Sequence, residues 1–261
     1  YQAVRKCRLR VGRPMKILGI DTSSEQVSVA VGDDESISAS FQLASDRRHV
    51  ESLIPAIELL LRNIGISIHE LSAIAVDLGP GLFTGMRVGI TTASTLSDIA
   101  ELPLIGLDSL QVLAHGVERV ALQELDDAEI VVPILDARRN QVYWSMHRID
   151  HSSGGALEEI REPRVGEVEE LIEDLLDRSQ RSVVLGTGAV KYIESLIEIP
   201  DLALLGERSG VRNFAFNAHL PHASTLVSLA AKKYAAGRLE GSPIAPIYLR
   251  APDAEIQWLT R

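Results

Sequence analysis

Asp21 closes the apolar run Lys16–Asp21 (Lys-Ile-Leu-Gly-Ile-Asp) and is followed at once by Thr22-Ser23-Ser24. A carboxylate beside hydroxyls at the C-terminal edge of a sheet suits a hydrated magnesium ion next to a phosphate; the same residues equally cap a turn. Gly79-Pro80-Gly81-Leu82-Phe83-Thr84-Gly85 lies between an apolar strand-like run and an apolar helix-like run. In α/β proteins such a glycine turn either holds phosphate or lets two elements pack closely. It is not a Walker loop, since no Lys-Ser/Thr follows the last glycine, and its spacing is not that of the dinucleotide fingerprint. Gly186-Thr187-Gly188, also after a strand, reads as an approach for adenine or phosphate or as a plain strand-to-helix turn. Asp136-Ala137-Arg138 offers a general base or an internal Asp136–Arg138 ion pair.

Other chemistries find little support. The histidines are His49, His69, His115, His147, His151, His219 and His222. His147 and His151 are four apart across a polar turn, and His219 and His222 flank Leu220-Pro221, with neither pair supplied with a third ligand. No Gly-x-Ser-x-Gly elbow exists. The single cysteine, Cys7, removes disulfides and thiolate zinc sites from the rest of the chain and fits a reducing cytoplasm. Arg87, a lone cation in the first turn of the helix after the glycine loop, opposes the helix dipole; its partner is either an internal carboxylate or a group across an interface.

The positioning elements follow from hydrophobic period. Lys16–Asp21, Gln26–Gly32 and Ser36–Gln42 read as three strands of an antiparallel meander. Residues 46–64 turn to helical period through Val50, Leu53, Ile54, Ile57, Leu60, Leu61 and Ile64, with Pro55 inside and Gly65 as C-cap. A strand at 72–78, the glycine turn, a helix at 84–101 capped by Thr84, and a strand at Leu104–Leu107 complete the order βββαβαβ. Gly85, Gly89 and Ala93 recur every four residues, leaving one stripe of that helix nearly bare. Beyond it the pattern predicts a helix over Ser109–Val120, an acidic linker at 123–129, a hairpin of Ile130–Leu135 with Gln141–Ile149, and a polar turn at His151–Gly155. Then come a helix over Val165–Arg178, a strand at Ser182–Leu185, a glycine turn and helix, a short strand at Ala203–Leu205, and a helix over Ala223–Leu239. Both halves run from meander to glycine turn to helix, as two related lobes do.

The 261 residues carry a net charge of −10. Five cations (Arg5, Lys6, Arg8, Arg10, Arg13) and no acid lie in residues 1–14, which read as a disordered extension before a start at Met15. The remainder is more acidic still, which argues against this chain as the main nucleic-acid surface. No apolar run reaches the roughly 20 residues of a membrane span.

Five segments together resemble the TsaB family, also called YeaZ: Ile17-Leu18-Gly19-Ile20-Asp21-Thr22-Ser23; Gly79 through Ile90; Asp136-Ala137-Arg138 with Val142-Tyr143-Trp144; Gly186-Thr187-Gly188; and Pro246-Ile247-Tyr248-Leu249-Arg250. The resemblance implies an α/β, actin-like and sugar-kinase-like (ASKHA) two-lobed fold with mixed sheets flanked by helices. It divides the chain into an extension (1–14), a first lobe (15–108), a reduced second lobe (109–221), and a C-terminal helix and tail (222–261) packing back on the lobes. It implies a cytoplasmic subunit of the bacterial machinery that makes threonylcarbamoyladenosine beside the tRNA anticodon. The catalytic paralogue in that machinery, TsaD, holds its metal through histidines after a strand matched here by residues 103–113, where Asp108, Ser109 and Leu113 stand instead. Thr95 and Ser97 replace the family's usual Gly and Ala, which predicts looser packing at the far end of that helix.

The expected protein is thus a non-catalytic partner of a TsaD-like paralogue, with a TsaE-like ATPase in the same complex, tRNA reached only through it, and a homodimer open to the isolated chain. Asp21, Gly186 and Gly188 would form a vestigial nucleotide site, no cofactor being bound except ATP in the complex. Leu53, Ile57, Gly85, Met86, Gly89, Ile90 and Ala93 would form the partner interface, so Gly89→Arg is expected to abolish pairing with little loss of fold. The alternatives are an ATP-dependent small-molecule kinase of the same fold and a metallopeptidase-like protein.

Overall fold

The computed structural model describes residues 14–44, 49–117, 128–153, 156–178, 180–205, 219–238 and 244–250. The expected extension 1–14 except Pro14, with Cys7 in it, most of the acidic linker 123–129, and residues 251–261 of the expected C-terminal tail lie outside the described residues.

The apolar run of β1 (Ile17–Asp21), the alternation of valine with small residues in β2 (Gln26–Gly32), and β3 (Ile37–Ala44) form an antiparallel meander, with Ile17 opposite Gly32 and Gln26 opposite Ala44. β1 then pairs in parallel with β4 (Ala73–Asp77), and β4 with β5 (Leu104–Leu107), in the order β3-β2-β1-β4-β5. Parallel neighbours need crossovers. Here they are α1 (His49–Ile64) and α2 (Phe83–Ala100). Their apolar faces, including Leu53, Ala56, Ile57, Met86, Ile90 and Ala93, close on Leu18, Ile20, Val27, Val29 and Val31 of the sheet. Pro55 sits on the solvent side of α1, where the hydrogen bond that its ring removes disturbs packing least. The late helix α7 (Ala223–Ala235) packs against β1 and β2, and the amide of Ala223 donates to Ser28 Oγ at 3.0 Å.

The second sheet repeats this plan. β6 (Ile130–Arg138), β7 (Gln141–Asp150) and β8 (Ala156–Glu167) form the meander; β9 (Ser182–Leu185) joins β6 in parallel and β10 (Leu202–Leu204) joins β9. The order β8-β7-β6-β9-β10 is that of the first sheet, element for element. α3 (Ser109–Gly116), α4 (Val168–Arg178), α5 (Thr187–Lys191) and α6 (Ile193–Leu196) accompany it. Trp144, Ile134, Val132 and Leu171 centre one core; Leu110, Leu113, Val131 and Leu185 centre another.

β8 is the element that the periodicity concealed. Its sequence, Ala-Leu-Glu-Glu-Ile-Arg-Glu-Pro-Arg-Val-Gly-Glu, is charged and contains Pro163, and its last three residues, Val165–Glu167, fall in the helix that the sequence predicts over Val165–Arg178. It is an edge strand, where proline and charged side chains are tolerated; Arg161 and Arg164 pair with Asp174, and Glu158 with Arg148. The polar turn after β7 contains a short 3-10 helix, His151–Ser153.

The chain divides into two units: Tyr1–Ser109 with His222–Ile247, and Leu110–Pro221 with Tyr248–Arg261.

Candidate functional site

Because β1 and β4 are parallel with Ile20 opposite Val76, their last residues, Asp21 and Asp77, emerge side by side. Both are buried. Asp21 Oδ1 accepts from the amide and hydroxyl of Ser23, each at 2.8 Å, which is the turn-capping role. Asp77 Oδ1 accepts from the amide of Gly79 at 2.7 Å and the hydroxyl of Ser109 at 2.6 Å. The Ser23 hydroxyl also lies 3.2 Å from Asp77 Oδ2, and Asp21 Oδ2 has no hydrogen-bond partner. Burial pushes Asp21 up to about 6, offset in part by the Ser23 hydrogen bonds. Burial and then the neighbouring Asp21 charge hold Asp77 well above the usual carboxylate range. The sequence points to Asp21, but not to Asp77 or to Ser109 as its hydrogen-bond partner. The available signal was a second apolar strand ending in Asp before a glycine turn.

The glycine loop closes over this pair. A Cβ on Gly81 would strike the carbonyl oxygen of Ser23, and the amide of Leu82 donates to that same oxygen at 2.7 Å. The Thr22 hydroxyl donates to the Gly85 carbonyl at 2.7 Å, and a Cβ on Gly89 would collide with it. The bare stripe of α2 therefore accommodates the end of β1. Leu53, Ile57, Gly85, Met86, Gly89, Ile90 and Ala93 are all buried within their own unit. As placed, they face the sheet, and Gly89→Arg would drive a side chain into Thr22. The exposed apolar residues of the two helices are instead Val50 (68%) and Ile54 (42%), one turn apart on α1, Leu59 on its opposite flank, and Phe83 and Ile99 (63%) on α2.

One local expectation changes. Leu82, not Thr84, holds the position before α2, and no side chain caps the helix; Thr84 already lies inside its first turn. Arg87 stacks over the Phe83 ring, 3.7 Å from its centroid, so an aromatic face one turn back receives the cation. Ser97 is buried and donates to the Leu102 carbonyl at 2.7 Å.

In the second unit Asp136 pairs with Lys191, both carboxylate oxygens at 3.0 Å from Nζ, and accepts the Arg138 amide at 2.9 Å. The Asp136 amide donates to Thr187 Oγ1 at 3.1 Å, and Arg250 donates to the Ala137 carbonyl at 2.7 Å. Gly186 has φ +106°, and a Cβ there would meet the Ile134 carbonyl oxygen; one on Gly188 would come within 2.7 Å of Ile134 Cγ2. The Gly186 amide donates to His219 Nδ1 at 2.8 Å. These glycines are thus accounted for by close packing on β6, and the amide that could have met a phosphate is engaged by a histidine.

Burial holds His219 down at about 4, and burial followed by the His115 charge does the same for His147. His147 Nε2 lies 2.9 Å from the Ser145 hydroxyl, and its ring centroid is 6.3 Å from that of His115. Among the described residues no group of three or more His, Cys, Asp or Glu side chains could hold a metal ion, and no helix is long and apolar enough to cross a membrane.

Residues 42–258 match the family model described as TsaD: tRNA N6-adenosine threonylcarbamoyltransferase. The tRNA threonylcarbamoyladenosine biosynthesis protein TsaB of Escherichia coli (strain K12) is 33% identical over 240 residues, covering 90% of this chain and 95% of that one. The protein of the same name from Bacillus subtilis (strain 168) is 28% identical over 245 residues, covering 94% and 98%. Among solved structures, YeaZ from Pseudomonas aeruginosa superposes with a TM-score of 0.70 at 27% identity, covering 90% of this chain and 100% of that one. A second Pseudomonas aeruginosa structure, described as an uncharacterized protein with similarity to peptidase YEAZ, gives 0.73 at 29% identity, covering 91% and 100%. The fold is that of the YeaZ structures, an α/β fold with two five-stranded mixed sheets.

Proposed function

We propose that this chain, which belongs to the TsaB family of tRNA threonylcarbamoyladenosine biosynthesis proteins, serves that modification as a non-catalytic subunit docked on a TsaD-like paralogue. The observation that carries this reading is the hydrogen bond from Ser109 to Asp77. At the matched strand end, where the paralogue places metal-binding histidines, this chain has Asp108, Ser109 and Leu113; Ser109 is engaged in holding a buried carboxyl and Leu113 is packed in a core. A catalytic metal has no imidazole to meet there.

The residues also fit a nucleotide poorly. Asp21 is buried and caps its own turn, and the Gly186 amide is directed to His219. The subunit therefore works without a cofactor of its own, and ATP belongs to other members of the complex, a TsaE-like ATPase among them. With a net charge of −10, it meets tRNA through partners that supply the cations.

Docking uses the outer sides of α1 and α2, where Val50, Ile54, Phe83 and Ile99 are exposed. Exposed apolar groups of this kind are what stable interfaces bury at their centres. In the absence of the paralogue the same face supports a homodimer. Co-purification with a TsaD-like paralogue tests the placement. Val50→Asp/Ile54→Asp is expected to keep its circular dichroism spectrum and lose co-elution; undiminished co-elution refutes this face.

A further inference from the structure

We infer that Asp77 is carried as a neutral carboxylic acid, donating from Oδ2 through the Ser23 hydroxyl to Asp21, and that this one proton fastens the glycine loop 79–82 over the end of β1. The inference is independent of any partner.

The geometry supplies the argument. Ser23 Oγ has a single hydrogen yet lies within hydrogen-bonding distance of two carboxyl oxygens, Asp21 Oδ1 at 2.8 Å and Asp77 Oδ2 at 3.2 Å. With both carboxyls ionised, one of those contacts would set lone pair against lone pair in a site closed to water. A proton on Asp77 Oδ2 resolves it: Asp77 donates to Ser23 and Ser23 donates to Asp21. Asp77 Oδ1 is then the carbonyl oxygen, which suits an atom already accepting two hydrogen bonds, from Gly79 and from Ser109. Asp21 keeps the charge, stabilised by the two Ser23 donors, with Oδ2 left as the site for a second proton.

Among the described residues no cation is among the groups that shift Asp21 or Asp77. The charges felt from neighbouring elements are Asp108, just before α3, which disfavours ionisation of Asp77 further, and Lys233 on α7, which interacts with Asp108. On α2, Arg87 lies over Phe83. The glycine loop has no titratable side chain.

The loop is tied to the proton from both ends. Gly79 and Ser109 bond to Asp77 itself; the Ser109 amide donates to the Gly79 carbonyl at 2.8 Å; and Leu82 donates to the carbonyl of Ser23, whose hydroxyl relays the proton. Removing the proton places two like charges under the loop, and Asp77 loses its donor to Ser23.

Carbon-13 NMR of the aspartate side chains in the full-length protein reads the proton directly. One buried carboxyl is expected to remain neutral at pH 7 and to titrate well above the ordinary range. Assignment comes from Asp77→Asn, whose carboxamide keeps the Oδ1 acceptor and supplies an N–H in place of the O–H. Amide exchange, corrected for its intrinsic pH dependence, reads the latch. As the pH passes the Asp77 titration, Gly79 and Leu82 of the wild type should lose protection at least about tenfold, while the Asn variant changes less than about twofold. Both carboxyls ionised by pH 5 in the wild type, or Gly79 and Leu82 protection indifferent to that titration, overturns the inference whether or not the variant folds.

Discussion

The hydroxyl of Thr22 donates to the carbonyl oxygen of Gly85 at 2.7 Å, and it does so in the space where Gly89, one turn further along α2, lacks a side chain. Glycine to alanine inside a helix ordinarily stabilises by about 1 kcal/mol. At Gly89 the added methyl lands on Thr22 Oγ1, and the result reverses: Gly89→Ala is expected to destabilise by about 1–3 kcal/mol in urea unfolding. Combining it with Thr22→Ala should recover part of the loss. Additive effects of the two changes would show that they do not meet.

Gly186 makes a stronger demand, since it combines φ +106° with the Ile134 carbonyl where a Cβ would go. Gly186→Ala is expected to lower stability by about 2–4 kcal/mol and to speed exchange of the Gly186 amide bonded to His219. Wild-type stability in this variant contradicts the packing role assigned to the turn.

The buried titratable groups of the two units respond to pH in opposite senses. His147 and His219 have folded values near 4, below the unfolded value of 6.5. Their unfolded forms bind the extra protons, so this stability is present above about 6.5 and is lost as pH falls toward 4, by up to roughly 3 kcal/mol each. Asp21 and Asp77 have raised values, so the first unit binds protons that its unfolded chain releases and weakens as pH rises above about 4. Emission of the buried Trp144, in the second unit, should show lower unfolding midpoints at pH 4.5 than at pH 7. Equal midpoints would remove the histidines from the account.

The docking face carries its own numbers. Replacing Val50 and Ile54, both exposed rather than part of the core, should cost less than about 0.5 kcal/mol of stability. The same pair should weaken affinity for a TsaD-like paralogue at least tenfold by calorimetry, as central apolar contacts do. A tenfold loss from Leu59→Asp alone, on the opposite flank of α1, would move the interface.

How far these features can be read in the chain depends on what each residue faces. Leu104–Leu107 and Ser182–Leu185 were legible to the residue, because short apolar runs between turn signals admit one reading. The long alternation of β2 and the helical period of α1 were also plain. Periodicity says that Leu53, Ile57 and Ile90 share apolar faces, but not whether such a face meets the molecule's own sheet or another protein; the structure turns them inward. β8 was hidden because an edge strand tolerates the charges and the proline that elsewhere exclude one. Asp21 stood out beside its hydroxyls, whereas Asp77 became visible only through the parallel register that sets it at Asp21. Asp136 was seen, but its partner Lys191 lies 55 residues away, beyond any local pattern.

Reconstitution of the tRNA modification tests the central claim most directly. In an extract that carries out the modification but is depleted of this chain, with tRNA, ATP, a TsaD-like paralogue and the ATPase subunit present, threonylcarbamoyladenosine measured by mass spectrometry should require added chain and should be lost with Val50→Asp/Ile54→Asp. Threonylcarbamoyladenosine formed when the paralogue alone is omitted would contradict the account, because the catalytic centre would then lie in this chain.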